Sequence, residues 1–327
     1  MTMGKHTHSH RHTLPDPTIT TTEKGSRAVL WSFAALFATA ALQAVVVLFT
    51  GSIGLLADTI HNLGDAGTAI PLWVAFRLAR KKPSDRFTYG YGRVEDLAGV
   101  IVVAVILASA IAAAAESIHR FVAPVPVRHL WAVAAASAVG FLGNEAVAVY
   151  RVRIGKEIGS AALEADGRHA HADALTSLAV LLGAGGVWIG YPMADPAVGL
   201  VISVIILRIV WQTGKEVFLR LLDGSDPAVA VEIRKTASAV PGVMDVSDVR
   251  VRWAGHRMYA EVNLAVEGNR SVNEGHAIAK EVRHRMLHGL RYLSDAVVHV
   301  DPADASGIKN HSIPSHRHDD LPGHSHG

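Results

Sequence analysis

Six long apolar runs constrain this chain more than any other feature. They cover Ala28–Phe49, Ile53–Phe76, Leu97–Ile118, Leu130–Tyr150, Ala161–Trp188 and Pro196–Gln212. About 20 apolar residues in helical form span a hydrocarbon layer, and a backbone inside that layer must satisfy its own hydrogen bonds. Each run therefore reads as a transmembrane helix. Half of the 327 residues are hydrophobic and 18% are charged, against roughly 25% charged in ordinary soluble domains. The net charge of +2 gives no reason to expect nucleic acid as a partner.

Basic residues are unevenly distributed between the runs. The second connection carries Arg77, Arg80, Lys81, Lys82, Arg86 and Arg93, and the fourth carries Arg151, Arg153, Lys156 and Arg168. The first connection, Thr50–Ser52, has no basic residue, and neither does the fifth, around Tyr191–Asp195. By the positive-inside rule the second and fourth connections and both termini face the cytoplasm. The first residues contain no apolar signal-peptide core, which agrees with an N-terminus that stays inside. The lipid bilayer, expected to be the cell (inner) membrane, is thus the first partner.

After Lys215 the pattern becomes that of a small soluble unit. Asp226 can cap a helix through Val240, which Pro241–Gly242 closes. Val243–Trp253 and Arg257–Val266 read as strands; in the second, Tyr259, Glu261 and Asn263 alternate with Ala260, Val262 and Leu264. Ser271 and Glu274 form a capping box for a helix to about His288, and Ala296–Val300 is a last strand. The expected fold is an α-helical membrane protein with six transmembrane helices plus a cytoplasmic α+β (αββαβ, ferredoxin-like) C-terminal domain. Its segments are a disordered His-rich tail over 1–27, a membrane domain over 28–214, the cytoplasmic domain over 215–302 and a second disordered His-rich tail over 303–327. His6, His8, His10 and His12 mark the first tail; His311, His316, His318, His324 and His326 mark the last.

The chemistry lies in a repeat within two of the runs. Ala57–Asp65 and Ala165–Asp173 both read A-D-x-x-H-x-x-x-D. Residues four apart on a helix stack on one face, so His61 with Asp65, and His169 with Asp173, can each grip an ion. Two such pairs on facing helices supply two imidazoles and two carboxylates, a tetrahedral set suited to zinc. With no cysteine in the chain, no thiolate site competes with this reading. Both histidines sit well inside their runs, where an ionisable group costs roughly 2.5–3.5 kcal/mol on insertion scales and needs a compensating role. Asp58 and Asp166, three residues before each histidine, are placed to orient the imidazoles or to take part in proton transfer. His171 lies about 200° round the helix from His169 and faces another surface. Glu145 and Arg208 read as side chains reaching for the interface. His276, Lys280, His284 and His288 form a solvated stripe.

This repeat resembles the metal-site signature of the cation diffusion facilitator family. So do Tyr89–Glu95 at the start of the third run, Leu221-Leu222-Asp223 after the sixth and the terminal αββαβ unit, so the resemblance covers about Ala28 to Pro302. It implies a homodimeric exporter, not an enzyme, that moves divalent metal out of the cytoplasm in exchange for protons. Zn2+ is then the transported substrate and also a candidate regulatory ion in the cytoplasmic domain. Carried over by position, His61, Asp65, His169 and Asp173 are the transport ligands, and Arg93 with Asp223 is a charge pair interlocking the two domains. His276, His299 and Asp301 fall on metal positions of the cytoplasmic domain. The sequence departs from the family at Phe87 and Tyr91, where some relatives have metal-binding histidines, and at Ser247 and Asn263, which occupy two further metal positions of the cytoplasmic domain. A loop metal site is therefore not expected, and the cytoplasmic domain should hold at most one metal per subunit.

Metal and protons compete for the same imidazoles and carboxylates, which provides coupling when the site alternates between the two sides. Cadmium, cobalt, nickel, iron and manganese share parts of this coordination chemistry. A non-transporting metal sensor or channel and an intramembrane metalloenzyme are the other classes; four protein ligands leave no open position for a catalytic water.

Overall fold

The structure is a computed structural model and describes residues 17–50, 67, 69–122, 130–191, 193–307, 313–316 and 324–326. Six helices precede the C-terminal domain: α1 (Pro17–Thr50), α2 (Ala69–Ala79), α3 (Arg93–Val122), α4 (Leu130–Ile158), α5 (Ala161–Trp188) and α6 (Ala194–Leu221). All but α2 are long and apolar enough to cross a membrane. Among the described residues, α2 is a short apolar helix, and the remainder of the expected second span lies outside them.

Only α5 has the bounds expected from its apolar run; the other four long helices run further. An apolar run records the part of a helix that meets hydrocarbon, whereas the helix continues wherever its backbone bonds and polar neighbours allow. The first correction concerns the N-terminal tail. Residues from Pro17 onward are helical, not disordered. Pro17 suits a first helical position because its missing N–H would have no partner there. The polar turns that follow are held by tertiary contacts: Lys24 pairs with Glu157 at 2.5 Å, Arg80 with Glu23 at 3.0 Å, and Thr22 is fully buried. A second correction moves the domain boundary. α6 continues past residue 214 to Leu221, and the chain turns at Asp223, whose φ of 61° is a conformation that aspartate tolerates better than most residues.

α5 is the central helix. Its buried positions are largely alanine and glycine, which let neighbouring backbones approach. Gly167 shows why size matters: a Cβ there would lie 2.8 Å from the Val152 backbone nitrogen of α4. Val102, Ile106, Ala165, Ala172 and Ile206 join α3, α5 and α6 in one apolar cluster. Ala28, Leu72, Phe76 and Ile158 join the N-terminal half of α1, α2 and the C-terminal end of α4 in another.

The C-terminal domain has the expected αββαβ order: α7 (Pro227–Ser238), β1 (Asp245–Ala254), β2 (Arg257–Val266), α8 (Val272–Gly289) and β3 (Leu293–Pro302). β1 and β2 are antiparallel and joined by a tight turn; β2 and β3 are parallel, which requires the α8 crossover. Met258, Ala260, Val262 and Leu264 alternate along β2 and pack with Ile233 of α7 and Val282 and Met286 of α8. Asp226 accepts from the Ala228 N–H at 2.9 Å, and Ser271 with Glu274 forms a complete capping box. The segment after Pro302, expected to be disordered, contains a 3-10 turn at Ala303–Ala305 and two short antiparallel strands, β4 (Ile313–His316) and β5 (His324–His326). These form a ribbon of their own; backbone pairing alone supports such a two-stranded unit only marginally.

Candidate metal-transport site

Ser160 starts α5 by accepting a 3.0 Å bond from the Leu163 N–H. From that cap the helix delivers Asp166, His169 and Asp173 into the interior, at 0%, 1% and 7% exposure. The His169 Nδ1 and the Asp173 Oδ1 lie 3.7 Å apart, so one ion could contact both side chains after small rotamer changes. The donor set, one imidazole and one carboxylate, suits a borderline divalent cation. His61, Asp65 and Asp58 lie outside the described residues. Among the described residues no group of three metal-binding side chains assembles.

Asp166 was expected to orient an imidazole. Its carboxylate also receives the Arg151 guanidinium of α4 at 2.8 Å, with both side chains fully buried. The i, i+3 spacing puts Asp166 and His169 on neighbouring faces, but α4 packs directly against the aspartate and brings its own cation. Sequence reasoning placed Arg151 in a basic connection because the apolar run ends at Tyr150, while α4 continues to Ile158. His171 does face another surface, and it contacts the Glu145 carboxylate at 2.6 Å. That corrects the reading of Glu145 as a side chain reaching for the interface: its carboxylate is held between α4 and α5. Arg168 points elsewhere, to Glu216 of α6 at 3.0 Å and Thr213 at 3.3 Å.

Arg93 begins α3. Its guanidinium donates to the Leu221 carbonyl at 3.0 Å and forms an ion pair with Asp223. The contact fastens the start of α3 to the end of α6, just before the C-terminal domain. Phe87 and Tyr91 pack ring on ring with centroids 4.9 Å apart.

In the C-terminal domain His276, His299 and Asp301 line one groove of about 480 Å³. The His299 Nε2 and the Asp301 Oδ1 are 2.8 Å apart, as expected for alternate residues of one strand. Asn263 pairs with His299 across the sheet, and Ser247 sits at the irregularity in β1 and donates to the Asn263 carbonyl at 3.4 Å. Of the stripe on α8, His284 and His288 pack ring to ring at 4.4 Å.

Two family descriptions match consecutive parts of the chain: the cation efflux transmembrane domain over residues 29–222 and the cation efflux protein cytoplasmic domain over 226–303. The chain belongs to the cation diffusion facilitator family. Among curated relatives, a probable cation efflux system protein of Mycobacterium tuberculosis is 49% identical over 289 residues, covering 88% of this chain and 87% of its own. The cation-efflux pump FieF of Salmonella schwarzengrund is 27% identical over 280 residues, 84% of this chain and 93% of its own. Metal tolerance protein C1 of Arabidopsis thaliana is 28% identical over 297 residues, 86% of this chain and 63% of its own. This cation diffusion facilitator is a multi-pass membrane protein that exports divalent cations; it is a transporter, not an enzyme. Its C-terminal domain is of the kind described as a dimerisation unit.

Proposed function

We propose that this transporter exports zinc from the cytoplasm in exchange for protons, by alternating access, as a homodimer in the cell membrane with both termini inside. The observation that carries the reading is the pair His169 and Asp173, buried on the most enclosed helix of the bundle and 3.7 Å apart. The matching sequence His61–Asp65 completes a four-ligand set in this reading, with Asp58 and Asp166 as its supporting carboxylates. Such ligands bind metal when deprotonated and protons when metal leaves, so the same atoms carry both substrates in turn. Arg93 and Asp223 keep the C-terminal domain in register with the helices. His276, His299 and Asp301 are proposed to hold one regulatory zinc ion per subunit, since Ser247 and Asn263 are poor ligands for a second.

Two imidazoles favour zinc and cadmium over harder ions such as manganese. The test is flux in proteoliposomes across zinc, cadmium, cobalt, nickel, iron and manganese, with and without an imposed pH gradient. Zinc uptake that follows the gradient, with counter-movement of protons, is expected. Zinc flux indifferent to the gradient and unaccompanied by protons would remove the exchange reading and leave a channel. Unchanged zinc-to-manganese selectivity in His61→Asp would show that ligand identity is not the filter.

A further inference from the structure

The turn between β1 and β2 enters the membrane helices instead of pointing into water. Three successive residues between them reach three helices. Gly255 donates its N–H to Asp96 of α3 at 3.0 Å. His256 places its Nδ1 2.6 Å from the Glu95 carboxylate of α3 and its Nε2 3.0 Å from the Thr22 hydroxyl of α1. Its backbone N–H donates to the same Glu95 oxygen at 3.3 Å, and its ring lies 5.8 Å from that of Phe76 on α2. Arg257 donates to the Ala79 carbonyl, at the C-terminal end of α2, at 3.2 Å.

The socket is closed. Thr22, Glu95 and His256 are 0%, 1% and 3% exposed. Gly255 has a φ of +63°, and a Cβ there would lie 2.6 Å from the Glu95 carboxylate and 2.7 Å from the Gly92 carbonyl, so the turn fits only without a side chain. A buried carboxylate that loses its hydrogen-bonded partner is strongly destabilised, so the helices and the turn cannot separate cheaply. The Arg93–Asp223 pair ties α3 to the link just after α6, next to the domain in sequence. The turn is different: it links the domain to helices remote from it in sequence. One of these, α2, begins four residues after Asp65.

We propose that His256 is a positioning residue for transport: with Glu95 and Thr22 it keys the C-terminal domain to α1, α2 and α3, so that movement of the domain is transmitted to the transport helices. Rotating the domain must carry the ends of these helices with it or break the buried network. Coupling of this kind travels through packed, hydrogen-bonded contacts with discrete arrangements. The flux half of the test rests on the transport reading, whereas the distance half does not.

The chain has no cysteine, so two introduced ones can carry spin labels without background. Lys82, exposed after α2, and Val272, 89% exposed on the C-terminal domain, suit this purpose. In the full-length labelled protein, His256→Ala is expected to broaden the inter-label distance distribution. It is also expected to lower saturating zinc flux between about two- and thirty-fold, with the half-saturating concentration within about twofold. His256→Asn, whose amide can occupy the Nδ1 position facing Glu95, is expected to restore most of both. If His256→Ala does not insert, His256→Gln decides, because it fills the space but presents its amide at the Nε2 position. Wild-type distances and flux in His256→Ala, or in His256→Gln where it stands in, overturn the proposal. Broadened distances with wild-type flux overturn it too, since the contact would then be only structural, and so does lost flux with unchanged distances. A wild-type protein that carries no zinc removes the transport reading and, with it, the role given to His256 in transport; the distances then report the keying alone.

Discussion

Asp166, His169 and Asp173 share one helix face or its margins and meet different neighbours. Asp166 is held by Arg151 with both groups out of water, whereas His169 and Asp173 face each other across one helical turn. The grip pair was legible in the sequence because its geometry is local: the i, i+4 spacing fixes it whatever packs nearby. The Arg151–Asp166 pair was not, because it depends on α4 continuing past its apolar run and turning back beside α5. Two predictions belong at this scale. Asp173→Ala should abolish metal flux while leaving the protein monodisperse and folded, and wild-type flux in that variant would remove Asp173 from the site. Arg151→Ala leaves a buried carboxylate without this cation and should cost about 3–5 kcal/mol, seen as a lowered thermal unfolding midpoint in detergent. Adding Asp166→Ala should cost less than the sum of the two single changes; strict additivity would show that the pair does not act as a unit.

Elements were legible where a local signal marks their ends. The capping box at Ser271 and the cap at Asp226 set the starts of α8 and α7 within a residue, and the alternation in β2 gave its full length. The N-terminal turns of α1 carry no such signal. Their polar residues are ordered by Glu157, Arg80 and His256, partners 57 to 234 positions away in sequence. The start of α8 yields a pH prediction. The Ser271 N–H and hydroxyl both donate to the Glu274 carboxylate at 2.8 Å and hold its pKa below the ordinary value. A carboxyl depressed in the folded state stabilises that state above its unfolded pKa, and the contribution is lost as pH falls through the folded value. Amide protection in the first turn of α8, taken relative to the intrinsic exchange rate at each pH, should therefore be high near neutral pH and fall once the pH drops through the lowered Glu274 value. In Ser271→Ala the protection should be lower at neutral pH and change less on acidification. Equal pH responses in the two proteins would detach the cap from the carboxyl.

At the scale of the whole molecule, the membrane bundle and the C-terminal domain are joined by the buried His256 network and by exposed bonds such as that from the Tyr292 hydroxyl to the Lys156 carbonyl, and the histidine-rich ends precede and follow them in sequence. The start of α1 at Pro17 decides how those ends can be removed. A deletion through residue 27 would take away Thr22 and Lys24, which contact His256 and Glu157, and would test the fold instead of the tail. Removing residues 1–16 and those after Gly307 spares every ion pair described in the helices and sheet. Four histidines precede Pro17 and five follow Gly307. Neutral imidazoles on a tethered segment raise the local metal concentration without adding a ligand to the buried site, which is an effective-concentration effect. The trimmed protein should therefore show a raised half-saturating zinc concentration and an unchanged maximal flux. Because imidazoles protonate near pH 6.5, the difference from the full chain should shrink as the metal-loading side is brought toward pH 5.5. Zinc flux titrated at both pH values measures this directly. A lost maximal rate at neutral pH would mean that the tails are part of the transport machinery, and a difference that persists at acid pH would mean that the imidazoles are not what concentrates the metal.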